Sequence, residues 1–97
     1  MHNLDVDQQI EKIKSLYWIR QSAIVLKPSL ESDDPEVIEE ARQVHKDLLD
    51  SFYTEVSDYM PRAQYKAAEK EFEYFLRLID LALAYFAYEM ESTDQVH

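Results

Sequence analysis

The strongest hydrophobic pattern in the chain lies in FEYFLRLIDLALAYFAYEM, from Phe72 to Met90. On a wheel of about 100° per residue, Tyr65, Ala68, Phe72, Phe75, Leu76, Ile79, Ala82, Leu83, Phe86 and Met90 share one sector. Tyr74, Leu78, Leu81, Tyr85 and Tyr88 form a second stripe beside it, and Glu69, Glu73, Arg77, Asp80 and Glu91 fill a narrow polar strip. A helix on the outside of a small domain needs one apolar stripe. Two stripes predict two sets of neighbours, supplied by the rest of the chain or by a second copy.

Upstream, the spacing predicts a first helix over residues 6–26, capped by Asp5 or Asp7 and stopped before Lys27-Pro28. Val6, Ile10, Ile13, Tyr17 and Ile24 share a face, whereas Trp18, Ile19, Val25 and Leu26 lie off it. Either the helix becomes buried on more sides towards its end, or Trp18 is an interface anchor, a role in which tryptophan is enriched. Leu30 is the one apolar residue of the linker that follows and is expected to tuck beneath it. Asp34-Pro35-Glu36 then reads as a helix start: a capping aspartate, proline at the first position, and an acid in the first turn.

The second helix is expected over residues 35–59, burying Val37, Ala41, Val44, His45, Leu48, Phe52, Val56 and Tyr59. Pro61 opens a third helix, residues 61–91, and pushes Met60 out of helical geometry. Residues 92–97 read as a frayed tail. The expected architecture is a single all-α domain over residues 1–97, a three-helix bundle that dimerises through its third helix.

Composition narrows the chemistry. The 97 residues contain no cysteine and no glycine. Disulfides, thiolate metal sites and thiol nucleophiles are excluded, as are glycine-rich phosphate loops. Net charge is −10, and residues 31–58 hold ten acids against two bases. Such a chain should avoid nucleic acid and anionic membrane and be drawn to basic surfaces. The start, MHNLDVDQQ, lacks the basic and apolar runs of a signal peptide. Glu73, Arg77 and Asp80 interrupt the most apolar stretch, so a cytoplasmic location is expected.

No catalytic or cofactor motif emerges, and the reading is of a non-enzyme without cofactor. Di-metal bundles use Glu-x-x-His pairs on facing helices, and none occurs here; His2 and His97 are terminal, and His45 sits on the apolar face of the second helix as a core residue. Arg77 falls between Glu73 and Asp80 and is expected to form a local surface ion network with them. Glu36-Val-Ile-Glu39 and Glu55-Val-Ser-Asp58 resemble the paired carboxylate motif of the MazG-like nucleotide pyrophosphohydrolases. That resemblance implies magnesium held between converging carboxylates. On one continuous helix, however, Glu39 and Asp58 stand about 28 Å apart at 1.5 Å per residue.

Two features rise above this background. Asp33, Asp34, Glu36, Glu39, Glu40, Asp47, Asp50 and Asp58 lie in the linker and along the polar side of the second helix. They suit docking to a basic protein such as a nuclease, toxin or nucleic-acid-binding protein, since complementary charge speeds and selects encounter. Tyr74, Leu78, Leu81, Tyr85 and Tyr88 have an interface composition, apolar bodies with polar tips, and are expected to mediate self-association. The functional expectation is an acidic inhibitor: an immunity protein, an antitoxin or a phage-type antagonist. The alternative is a secretion or assembly chaperone that receives a partner helix on the third helix.

Overall fold

The computed structural model describes residues 6–57 and 62–95, with side chains as far as residue 88. Among the described residues it is all-α, with four helices in place of the three expected: α1 (Val6–Leu30), α2 (Pro35–Val56), α3 (Arg62–Lys70) and α4 (Phe72–Gln95). Asp5, Asp58, Tyr59, Met60 and Pro61, and the side chains of Met90, Glu91 and the tail, whose roles the sequence predicts, lie outside the described residues.

The extra helix arises at Glu71. Its N–H donates to the Ala67 carbonyl at 3.0 Å and its carbonyl accepts from the Phe75 N–H at 3.1 Å, so one residue closes α3 and opens α4. Proline and glycine, the usual causes of a sharp bend, are absent from residues 62–95. The two segments serve different neighbours: α3 packs on α2, while α4 lies mainly along α1. The buried row Tyr65, Ala68, Phe75, Ile79, Ala82 and Phe86 keeps helical spacing across the break, with exposed Glu71 at its edge, three residues after Ala68 and four before Phe75. A bend of that kind leaves no trace in hydrophobic periodicity.

α1 also outruns its expected end. Pro28 sits in its last turn, where a missing N–H costs a single helical bond. Glu31 N–H to the Pro28 carbonyl (3.2 Å) and Ser32 N–H to the Ser29 carbonyl (3.3 Å) then finish the helix with the tighter bonds common at helix ends. Leu30 packs against the core as expected. The start of α2 is as its residues predict: the Asp34 side chain accepts from the Glu36 N–H at 2.9 Å, and Pro35 is the first helical residue. Its last turn has no base, and α1 supplies one. The Lys12 ammonium donates to the Glu55 backbone carbonyl at 2.7 Å, where the helix leaves carbonyls unpaired and its dipole is negative.

α1 is the central element, packed along both α2 and α4, and α3 touches α2 and α4. Phe52, Phe75, Phe86, Leu16, Ile19, Leu49, Ile79 and Val56 are the largest fully buried side chains. The face of α1 that does this burying differs from the one expected. Gln9, Leu16, Ile19, Ala23 and Leu26 point inwards, whereas Val6, Tyr17 and Ile24 are exposed. α1 is apolar around most of its circumference, so its periodicity has no single phase. Charged residues flank the buried face: Lys12 pairs with Glu55 of α2 (3.4 Å), and Arg20 and Lys27 pair with Asp80 (2.7 Å) and Glu73 (2.8 Å) of α4. Those last two bonds replace the local network expected around Arg77, because Glu73 and Asp80 lie on the α1 side of α4.

The helices form a long, thin body of 55 × 24 × 16 Å. Its radius of gyration is 15.0 Å, against roughly 12.5 Å for a compact chain of this length. Outward faces of α1 and α4 are left without a helical neighbour. No helix among the described residues is long and apolar enough to cross a membrane.

Candidate protein-binding surfaces

The polar side of α2 faces solvent along its whole described length, and Glu36, Glu39, Glu40, Asp47 and Asp50 are all exposed, as are Asp33 and Asp34 before it. The acids are not equivalent. Asp34 caps α2, and Asp50 accepts a hydrogen bond from the Tyr65 hydroxyl of α3. That bond, with burial second, pushes the Tyr65 pKa up to about 12. Both aspartates therefore serve the fold. Asp47 accepts from the Gln43 amide at 3.1 Å, a helix-surface contact. Asp58 lies outside the described residues. None of the ion pairs among the described residues engages Asp33, Glu36, Glu39, Glu40 or Asp47. These five are an uncompensated acidic face.

One edge of that face is basic. Arg42, Lys46 and Lys70 line a cleft at the α3–α4 elbow, together with Leu30, Glu69 and Phe72. His45 forms part of its wall, buried at 8% exposure. Its ring packs edge-on against Phe72 (5.2 Å between centroids) and tilted over Phe75 (5.4 Å). Burial pushes the imidazole pKa below its ordinary 6.5, opposed in part by a hydrogen bond to the Ala68 backbone and by the Glu69 charge. His45 is thus a core residue, as its position implied, although its Nε2 lacks a hydrogen-bond partner among the described residues.

The other edge of the acidic face is apolar, and here sequence reasoning fell short. Val37 and Val44, placed in the core by periodicity, are 36% and 42% exposed. Leu49, left out of that set, is buried. Across the α1–α2 seam stand Trp18 and Val25 of α1, 63% and 69% exposed, with Tyr17 and Ile24 beyond them. Trp18 separates two depressions in the seam. One is walled by Trp18, Val25 and Val44 over Leu26; the other is walled by Trp18, Lys14 and Glu55 over Ile19. The available signal was the spread of apolar residues around α1, which a single wheel sector could not absorb.

The second stripe of the last helix divides. Leu78 is buried in the core and Tyr74 is half-buried against it, which corrects the expectation that both face a second chain. Leu81 and Tyr88 are strongly exposed and Tyr85 moderately so. The reason is the narrowness of the fold: α2 and α3 reach one edge of the stripe and leave the rest outside.

Of the carboxylates with MazG-like spacing, Glu36, Glu39 and Glu55 are described and do not converge. α2 is continuous from Pro35 to Val56, which puts Glu39 and Glu55 about 24 Å apart at 1.5 Å per residue. Among the described residues no group of histidine, aspartate and glutamate side chains is arranged to hold a metal ion.

Fold and surface together define a small all-α domain with an acidic face, an apolar seam and an exposed aromatic patch. No protein-family model matches the chain, and no curated protein or solved structure matches it significantly.

Proposed function

We propose that this chain is a protein-binding domain whose acidic α2 face covers a basic surface of a target, as an inhibitor of the immunity-protein, antitoxin or phage-antagonist kind. The target class is a nuclease, toxin or nucleic-acid-binding protein, whose positive patch is built for nucleic acid. The supporting observation is that Asp33, Glu36, Glu39, Glu40 and Asp47 are exposed yet engaged by no base among the described residues. Glu36 also meets like charges three and four residues on, an arrangement that works against the helix. Capture of the binding partner by the wild-type chain and by a Glu39→Gln, Glu40→Gln, Asp47→Asn variant tests this. The expected result is a basic partner retained by the wild type and lost by the folded variant. A partner held equally by both refutes the reading.

Exposure of Leu81, Tyr85 and Tyr88 on α4 favours a second reading, in which that patch pairs with another copy or takes a partner helix, as in an assembly chaperone. Leu81→Glu should convert a dimer to a monomer in sedimentation with helicity retained. A wild type that is monomeric at high micromolar concentration excludes the self-association form.

A further inference from the structure

The acidic face and the α1–α2 seam are contiguous, and the seam shows what kind of segment the face would hold. We propose that the seam receives an amphipathic basic helix: its apolar side straddles Trp18 and its bases meet the carboxylates of Glu40 and Asp47. This inference rests on the acidic-face reading above and adds the partner's form to it.

Four observations support it. First, the walls are apolar and open: Trp18, Val25 and Val44 are 63%, 69% and 42% exposed and line one depression together. Second, the floor is low because Ser15, Ser22 and Ser29 recur every seven residues of α1 along the seam, with Ser51 opposite on α2. Small side chains there leave room for side chains from outside. Third, the depressions on either side of Trp18 are centred about one heptad apart, or roughly 10 Å at 1.5 Å per residue. Two aliphatic side chains at positions i and i+7 of a partner helix match that spacing.

The fourth observation is charge. Glu40 and Asp47 lie four residues before and three after Val44 on the same helix, so they flank it on the rim. Lys14, Gln21 and Val25 occupy the α1 side of the seam. A helix with its bases on one flank is thereby oriented across the seam. The same asymmetry disfavours a second copy of this chain, which would set two acidic faces of a −10 protein against each other.

Trp18 is the sole tryptophan of the chain, so it reports on its own occupancy. The test uses the full chain and a synthetic 18-residue helical peptide with leucine on one face and lysine on the other. A leucine–glutamate peptide of the same pattern is the control. The expected result is saturable binding of the lysine peptide, a blue shift of Trp18 emission, and no binding of the control. With labelled peptide, Trp18→Ala and Val25→Ser should each weaken binding at least tenfold. Glu40→Gln with Asp47→Asn should weaken it and flatten its salt dependence. These positions are exposed, and retained helicity confirms that each variant is folded. Binding that depends on the two acids but leaves Trp18 emission and the Trp18→Ala variant unaffected overturns the seam inference and spares the acidic-face reading. Absence of binding overturns the seam inference, and binding indifferent to peptide charge overturns both.

Discussion

Helices α1 and α2 pack against each other, yet they distribute their side chains in opposite ways. α2 is sharply divided: Ala41, His45, Leu48, Leu49, Phe52 and Val56 are buried, and the opposite side is acidic. α1 buries Leu16, Ile19, Ala23 and Leu26 but also exposes Tyr17, Trp18, Ile24 and Val25. On α2, therefore, most apolar residues report the fold, whereas Glu36, Glu39, Glu40 and Asp47 are surplus to it. On α1, apolar residues exceed what the fold uses. Both surpluses meet at one seam, an exposed apolar strip with a charged rim, which is the composition the proposed binding surface needs.

The comparison is broken most directly by contrasting two aromatic truncations. Phe52→Ala on α2 removes a side chain that is 1% exposed and in edge-on contact with Phe75. It should cost about 3–5 kcal/mol in urea denaturation, as buried phenylalanine truncations do. Trp18→Ala deletes a larger ring from an exposed site and should stay within about 0.5 kcal/mol of wild type. A large loss at Trp18 would mean that α1 has no surplus.

Next in size is Tyr65→Phe, which unlinks α3 from Asp50 of α2. A hydrogen bond to a charged, partly exposed acceptor is worth about 1–2 kcal/mol. A null effect would make Asp50 as free as Asp47 and return it to the acidic face.

His45 sharpens the comparison through pH. Burial holds its folded pKa below the unfolded 6.5, so the unfolded chain binds the extra proton first. The stability contributed by the neutral imidazole is complete above pH 6.5. It is lost as pH falls from there through the folded pKa. His45→Leu should match or exceed wild type at pH 7.5, and its advantage should grow between pH 6.5 and 5. Subtracting the two denaturation curves removes effects common to both proteins. A difference that does not change with pH would show that His45 is not titrating in the buried site.

The smallest effect is expected at the acids. Glu40→Gln with Asp47→Asn removes like-charge neighbours on an exposed helix face and should raise stability by a few tenths of a kcal/mol. A clear loss would assign these residues to the fold, alongside Asp34 and Asp50.

What the residues disclosed follows the same division. The start of α2 was legible in Asp34-Pro35-Glu36, because capping chemistry is local. The buried row from Tyr65 to Phe86 was legible because its spacing is regular. The bend at Glu71 was not, since the row runs through it without a change of spacing and the bend depends on α3 and α4 having different neighbours. The inward face of α1 was not legible either. Its orientation depends on neighbours far away in sequence, as the contact of Arg20 with Asp80, sixty positions apart in the chain, shows. In the acidic set, the residues that serve the fold could be separated only after Tyr65 was seen to reach Asp50 and the Asp34 cap was in place.

The central claim is that the α2 face acts through charge on a basic partner. The most direct measurement is the association rate of the chain with its captured partner as a function of salt. The wild-type rate should fall steeply between 50 and 500 mM salt, over which screening shortens from about 14 to 4 Å. The Glu39→Gln, Glu40→Gln, Asp47→Asn variant should start slower and lose most of that slope. Wild type and variant with the same rate and the same slope would contradict the account.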